Sequence, residues 1–197
     1  GRSGKDDTLL QIAPISALVQ EAMEPHLDRG KRIVPRINGR INDGPGADHM
    51  LVARQSEIIH GLRNLIQNAV DFAASTVWVD INWDKTNLRV HVGDDGPGYP
   101  SHIIGRIGDP FVRKRGYVDA NRPGYEGMGL GLFIAKTLLE RSGAELIFTN
   151  GHDGNESHNP QDRPTGAVVI VRWPKDALAV SDEDKRKPFG QNELIKA

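Results

Sequence analysis

The chain has 197 residues, 38% of them apolar and 26% charged, enough for one globular domain with its own core and some polar flanking sequence. Twenty-five basic against twenty-six acidic side chains leave a formal charge of -1, so no global field draws the chain to nucleic acid or an anionic membrane, and any phosphate binding must be local. Cysteine is absent, which removes disulfides, thiolate nucleophiles and cysteine zinc sites, and neither an apolar run of about 18 residues nor a signal-peptide pattern is present, so no membrane span is expected within this sequence.

The opening GRSG reads as a cloning remnant and stays outside the fold. Leu10, Ile12, Ile15, Leu18, Val19 and Met23 recur at helical spacing and predict a helix over 15–27, with Pro14 near its start. RIVPRING suits a short edge strand because Pro35 cannot donate to a ladder; the turn-rich NDGPGAD and a second short strand, MLVA, follow. Ser56 and Glu57 open the strongest helical segment, running to Ala73, with Ile58, Leu62, Leu65, Ile66, Ala69 and Ala73 on one stripe. Val77, Val79, Ile81 and Trp83, then Leu88, Val90 and Val92, alternate with polar residues or Trp78 on either side of DKTN and predict a β-hairpin.

After a glycine-rich, charged stretch from Gly93 to Gly129, residues Leu130 to Arg141 return to helical periodicity and stop at Ser142 and Gly143. AELIFTN and AVVIVRW read as two further strands. The polar segment Gly151 to Thr165 between them is long for a hairpin loop, and nothing after Pro174 has a core pattern; both are expected to be mobile. Strand pairs interspersed with helices predict an α/β two-layer sandwich, a mixed β-sheet covered on one face by helices, rather than a doubly wound parallel fold. The expected division is a remnant and junction over 1–14, one domain over 15–174 and a polar tail over 175–197.

Three constellations carry chemistry. In NLIQNAVDF, Asn64 and Asn68 are four residues apart and share a helical face, with Phe72 one turn further. A hard ion such as Mg2+ keeps several waters and shares phosphate oxygens with one or two protein groups, so the carboxamide of Asn68 suffices as its protein ligand; the alternative is a pair of asparagines bonding to neighbouring loops. DDGPG at 94–98 ends a predicted strand. There Asp94 can accept a hydrogen bond from the exocyclic amine of a base while Gly96 and Gly98 let backbone approach a flat ring, the alternative being an ordinary tight turn. GMGLGLFIAKTL at 127–138 is a glycine cluster feeding a helix, where free amides and the helix dipole suit phosphate. Just upstream, DPFVRKRG places Arg113, Lys114 and Arg115 in a candidate lid. A Rossmann fingerprint does not fit, because DANRPGYE is no strand and the glycine spacing differs.

The order Asn64 and Asn68, DDGPG, DPF, GMGLGL, then a strand pair with Thr165, Gly166 and Ala167, resembles the N, G1, F and G2 boxes of the GHKL (Bergerat-fold) ATP-binding superfamily. Within it, residues 15–174 look like the catalytic, ATP-binding domain of a sensor histidine kinase. HGLRNLIQNAVDFA and GMGLGLFIAKTLLERSGA add a narrower resemblance to the redox-responsive RegB/PrrB branch of photosynthetic proteobacteria. The resemblance implies ATP and Mg2+ as cofactors, with Asn68 binding the metal, Asn64 supporting the site and Phe72 packing on adenine. Asp94 then reads the adenine amine, Gly96 and Gly98 shape the base pocket, and Phe111 anchors the lid. Gly127, Gly129, Leu130 and Gly131 lie against the phosphates, and Gly166 stands in an abbreviated third glycine box.

Asp71 departs from the pattern, since many histidine kinases carry a basic residue just before the aromatic of the N box; Arg113 or Lys114 is the expected substitute. Hydrolysing cousins place a glutamate four residues before the metal-binding asparagine, where this chain has Asn64. An amide does not accept a proton near neutral pH, which favours a kinase over an ATPase, His60 being the remaining candidate base. The rival readings are a GHKL hydrolase, a regulatory nucleotide-binding module and an anti-sigma-type serine kinase. His60 in HGLRNL imitates a phosphoacceptor box but lacks its acidic and proline partners. The acceptor histidine is therefore expected on a separate dimerisation domain, with 6–27 the trailing edge of that junction. The implied setting is a cytoplasmic, monomeric domain of a membrane-anchored parent that signals to a response regulator.

Overall fold

A computed structural model describes residues 12–38, 40–41, 50–102, 104–107, 128–151 and 162–179. Strand β1 (Ile12–Pro14) leads directly into helix α1 (Ile15–Met23). The two meet at Pro14, whose fixed φ suits the residue flanking a helix start. A 3-10 turn over Glu24–His26 ends this helical run, which sequence periodicity predicts as a single helix over 15–27. Strands β2 (Arg32–Ile37), β3 (Arg40–Ile41) and β4 (Leu51–Ala53) precede helix α2 (Ser56–Phe72). The hairpin β5 (Thr76–Trp83) and β6 (Asn87–Asp94), helix α3 (Met128–Arg141), and strands β7 (Glu145–Asn150) and β8 (Ala167–Pro174) complete the domain.

Six strands form one sheet in the order β3-β2-β5-β6-β8-β7. Only β2 and β5 run parallel, because α2 lies between them in the chain; the other neighbours are antiparallel. The mixed sheet with helices on one face agrees with the sequence reading. β2 is not a free edge, since β3 pairs with Arg36 and Ile37, but Pro35 lies just before that pairing begins. β1 and β4 form a separate antiparallel pair. Residues 12–14, assigned from sequence to a junction, therefore belong to an ordered element.

The core lies between the helices and alternate positions of the strands: Val77, Val79 and Ile81 of β5, Leu88, Val90 and Val92 of β6, and Val169, Val171 and Trp173 of β8. α2 turns Ile58, Leu62, Leu65, Ile66 and Ala69 onto it, and α1 adds Ile15, Leu18, Val19 and Met23. Gly61 permits the close approach of α2 to α3: a Cβ there would come 2.5 Å from Leu139 Cγ. Lys31 Nζ donates to the Ala73 and Ala74 carbonyls (2.7 and 3.0 Å) just beyond the end of α2. α3 ends in a Schellman motif at Gly143, with Ala144 N donating to Leu139 O at 3.1 Å and Gly143 N to Glu140 O at 3.0 Å.

The fold continues past Pro174, where the sequence predicts a polar tail. A 3-10 turn over Lys175–Leu178 returns the chain to the core, and Leu178 is 1% exposed. A four-residue turn with one large apolar side chain is too short to carry a periodicity, so this element has no signature in the sequence.

Candidate functional site

Asp94 is the last residue of β6 and is buried, 2% exposed. Its Oδ1 accepts from Gly96 N (2.8 Å) and Ala167 N (3.2 Å). Its own carbonyl accepts from Gly166 N at 2.8 Å. Burial raises its pKa to about 6, against the opposing pull of the Gly96 and Ala167 amides. A nearly neutral-range carboxylate with lone pairs beyond these two bonds is a strong acceptor for a ligand amine.

The glycines around it are required by space. A Cβ on Gly96 would collide with the Phe72 carbonyl, which shows that the DDGPG turn closes directly on the C-terminal end of α2. A Cβ on Gly166 would collide with Asp94 Oδ1 and lie 2.6 Å from Gly96 O. Gly98 has φ +77° and faces Asn150 Oδ1. Thus Phe72, Asp94, Gly96 and Gly166, separated by up to 94 residues in sequence, meet in one place. Gly129 and Gly131 differ: among the described residues a Cβ at either meets nothing within 4 Å. Packing does not demand glycine in this first turn of α3, whereas close approach of a ligand to its backbone would.

Asn64 and Asn68 lie on α2, both half-buried. Asn64 Nδ2 donates back to His60 O at 2.9 Å, so its side chain is committed to its own helix. Asn68 has no side-chain hydrogen bond among the described residues. An uncommitted carboxamide oxygen fits the hard-donor chemistry of Mg2+ sharing phosphate oxygens and water. His60 is exposed. Asp71 is taken up by an ion pair with Arg29 Nη2 (2.5 Å), which ties the segment after α1 to α2. Phe111, Arg113, Lys114 and Gly127 lie outside the described residues.

Several supporting residues are not identified by the motifs. Asp95 accepts from Ser75 N (2.9 Å), Ser75 Oγ (2.6 Å) and Thr76 N (3.0 Å). Burial pushes its pKa up, but these hydrogen bonds prevail and leave it lowered. The hairpin register, with Val77 opposite Asp94, could have revealed that contact. Asn150 accepts from Tyr99 N (2.7 Å) and donates to Tyr99 O (2.8 Å), clamping the far end of the DDGPGY turn. Tyr99 is itself buried edge-on against Phe148. A lone asparagine at a strand end gives no signal for this contact.

Residues 53–177 match the family described as histidine kinase-, DNA gyrase B- and HSP90-like ATPase, and the chain belongs to that family. Within it the chain falls on the RegB branch of the sensor histidine kinases: it is 51% identical to sensor histidine kinase RegB of Cereibacter sphaeroides over 99% of this chain. The match spans 42% of that relative's length. The signal transduction histidine-protein kinase AfsQ2 of Streptomyces coelicolor is 32% identical over 71% of this chain and 23% of its own. The fold is shared with the mycobacterial sensor histidine kinase MprB (TM-score 0.61, 18% identity, 83% of this chain and 97% of that one). It is shared as well with the full-length ShkA structure in complex with AMPPNP (TM-score 0.59, 22% identity, 84% and 31%).

Proposed function

We propose that this chain binds ATP with Mg2+ and positions the γ-phosphate for transfer to a histidine on a separate helical domain, from which a response regulator receives it. The observation that carries this reading is the buried Asp94 carboxylate, framed by Gly96 and Gly166 and closed against Phe72. In this reading Asp94 accepts from the adenine amine, Gly96 and Gly98 border the base, and Phe72 packs on it. Asn68 supplies a carboxamide oxygen to Mg2+, which when bound neutralises phosphate charge, and Asn64 supports that helical face. Gly129, Leu130 and Gly131 present backbone to the phosphates, joined by Gly127 and by Phe111, Arg113 and Lys114 of the lid. No nucleophile is needed, because phosphoryl transfer relies mainly on positioning and charge neutralisation.

The proposed setting is the cytoplasmic side of a membrane-anchored parent, with this domain monomeric by itself. Among the described residues no helix is long and apolar enough to cross a membrane. The test is calorimetric titration of ATP with and without Mg2+, repeated for Asn68→Ala and Asp94→Ala, then phosphotransfer to an added histidine-bearing domain. Unchanged affinity in both variants overturns the site assignment. Tight binding without phosphohistidine formation overturns the kinase reading in favour of a regulatory module.

A further inference from the structure

The sheet face turned away from the helices carries a charged clamp. Arg36 of β2 and Asp80 of β5 are cross-strand neighbours in the parallel pair. Arg36 Nε and Nη2 grip both carboxylate oxygens of Asp80 (2.5 and 2.7 Å), and Nη1 donates to the Asp162 carbonyl at 2.6 Å. Both side chains are less than one-fifth exposed. The fork geometry of a guanidinium allows both attachments together, which an ammonium does not.

Asp162 begins a strap that ends in the candidate site. Two residues on, Pro164 lies on Gly93: a Cβ there would come 2.5 Å from Pro164 Cβ. Gly93 directly precedes Asp94, and successive strand residues face opposite sides of the sheet, so Pro164 rests on the face opposite the Asp94 carboxylate. Gly151 closes on the Pro164 carbonyl, and its N–H donates to Gly166 O at 2.7 Å. Gly166 N and Ala167 N then reach Asp94. The strap is thus held at one end by Arg36 and at the other by Asp94.

We infer that Arg36 and Asp80 are positioning residues for base selectivity: through the strap 162–166 they hold Gly166 and the Ala167 amide in register with Asp94, without touching ligand. This inference rests on the proposal that Asp94 reads the purine amine. The test measures, on this chain with Mg2+, the affinities for ATP and for inosine triphosphate, which replaces the exocyclic amine by a carbonyl, and for inorganic tripolyphosphate. Arg36→Ala and Asp80→Asn are expected to reduce the ATP-over-inosine preference about three- to tenfold, the scale of one displaced hydrogen bond, and to leave tripolyphosphate affinity unchanged. Arg36→Lys, which keeps the cation but loses the fork, is expected to lose part of the preference while remaining folded. A wild-type preference in Arg36→Lys and Asp80→Asn overturns the inference if Asp94→Asn abolishes that preference. If Asp94→Asn retains the preference, the purine reading falls first and the inference with it. A parallel loss of tripolyphosphate affinity also overturns it, by showing general loosening instead of a base-specific effect.

Discussion

Gly166 lies against the Asp94 side chain so closely that no Cβ fits between them, while its N–H donates to the Asp94 carbonyl at 2.8 Å. The third glycine box, abbreviated in sequence, is therefore one wall of the carboxylate's surroundings. Gly166→Ala is expected to cost about 1–3 kcal/mol of stability through overpacking and to weaken ATP binding at least about tenfold. Gly129→Ala and Gly131→Ala meet no neighbour among the described residues, so in the first turn of α3 they should leave stability unchanged or raise it by up to about 1 kcal/mol, yet still impair nucleotide binding. Paired denaturant melts and ATP titrations separate the two effects; destabilisation by either α3 substitution would contradict this account.

The carboxyl of Asp94 has a raised pKa of about 6, so ionising it costs stability above that pH, and the cost vanishes as pH falls below its ordinary value of 3.8. Asp94→Asn should then stabilise the ligand-free protein by about 1–3 kcal/mol at pH 8 and by much less at pH 4.5. The same variant should bind ATP at least about tenfold more weakly, because an amide acceptor replaces a charged one. In the wild type, adenosine affinity should fall as pH drops below about 6; adenosine avoids titration of the phosphates. Urea unfolding at the two pH values and adenosine titrations across pH 5–8 provide the check.

His26 and His91 each have a pKa lowered below 6.5, chiefly by burial. The Arg29 charge adds to this at His26; at His91 the Asp80 charge opposes it. Among the described residues neither ring nitrogen of His26 has a hydrogen-bond partner of good geometry, and a backbone contact with Arg63 only partly offsets the lowering. Both histidines favour the folded state when neutral, so their contribution is complete above about pH 6.5 and is lost as pH falls below it. His26→Leu should flatten the acid side of the stability profile between pH 7.5 and 5, measured as the urea midpoint. An unchanged slope would exclude His26 as a contributor.

Leu178 fills the core from beyond the last strand. Leu178→Ala is expected to cost about 2–5 kcal/mol, and ending the chain after Pro174 should cost at least as much. Thermal unfolding followed by near-ultraviolet circular dichroism, which reports on buried Trp173, would show both.

Periodicity makes α2 and the β5–β6 hairpin legible, because a helix or strand with one face in the core must repeat its apolar residues at 3.6 or 2 positions. DDGPG marks the candidate site equally well, since a carboxylate and two glycines at a strand end are local chemistry. The sequence by itself thus determined the element types, the one-sided sandwich and the identity of Asp94, Gly96 and Asn68 as candidates. Only the tertiary structure decided that Gly166 abuts Asp94, that Asn150 clamps Tyr99, that Leu178 returns to the core and that Arg36 holds Asp162. Each of these is a single contact between segments far apart in the chain. Such contacts depend on which strand lies beside which, and a local pattern of side chains carries no record of that order.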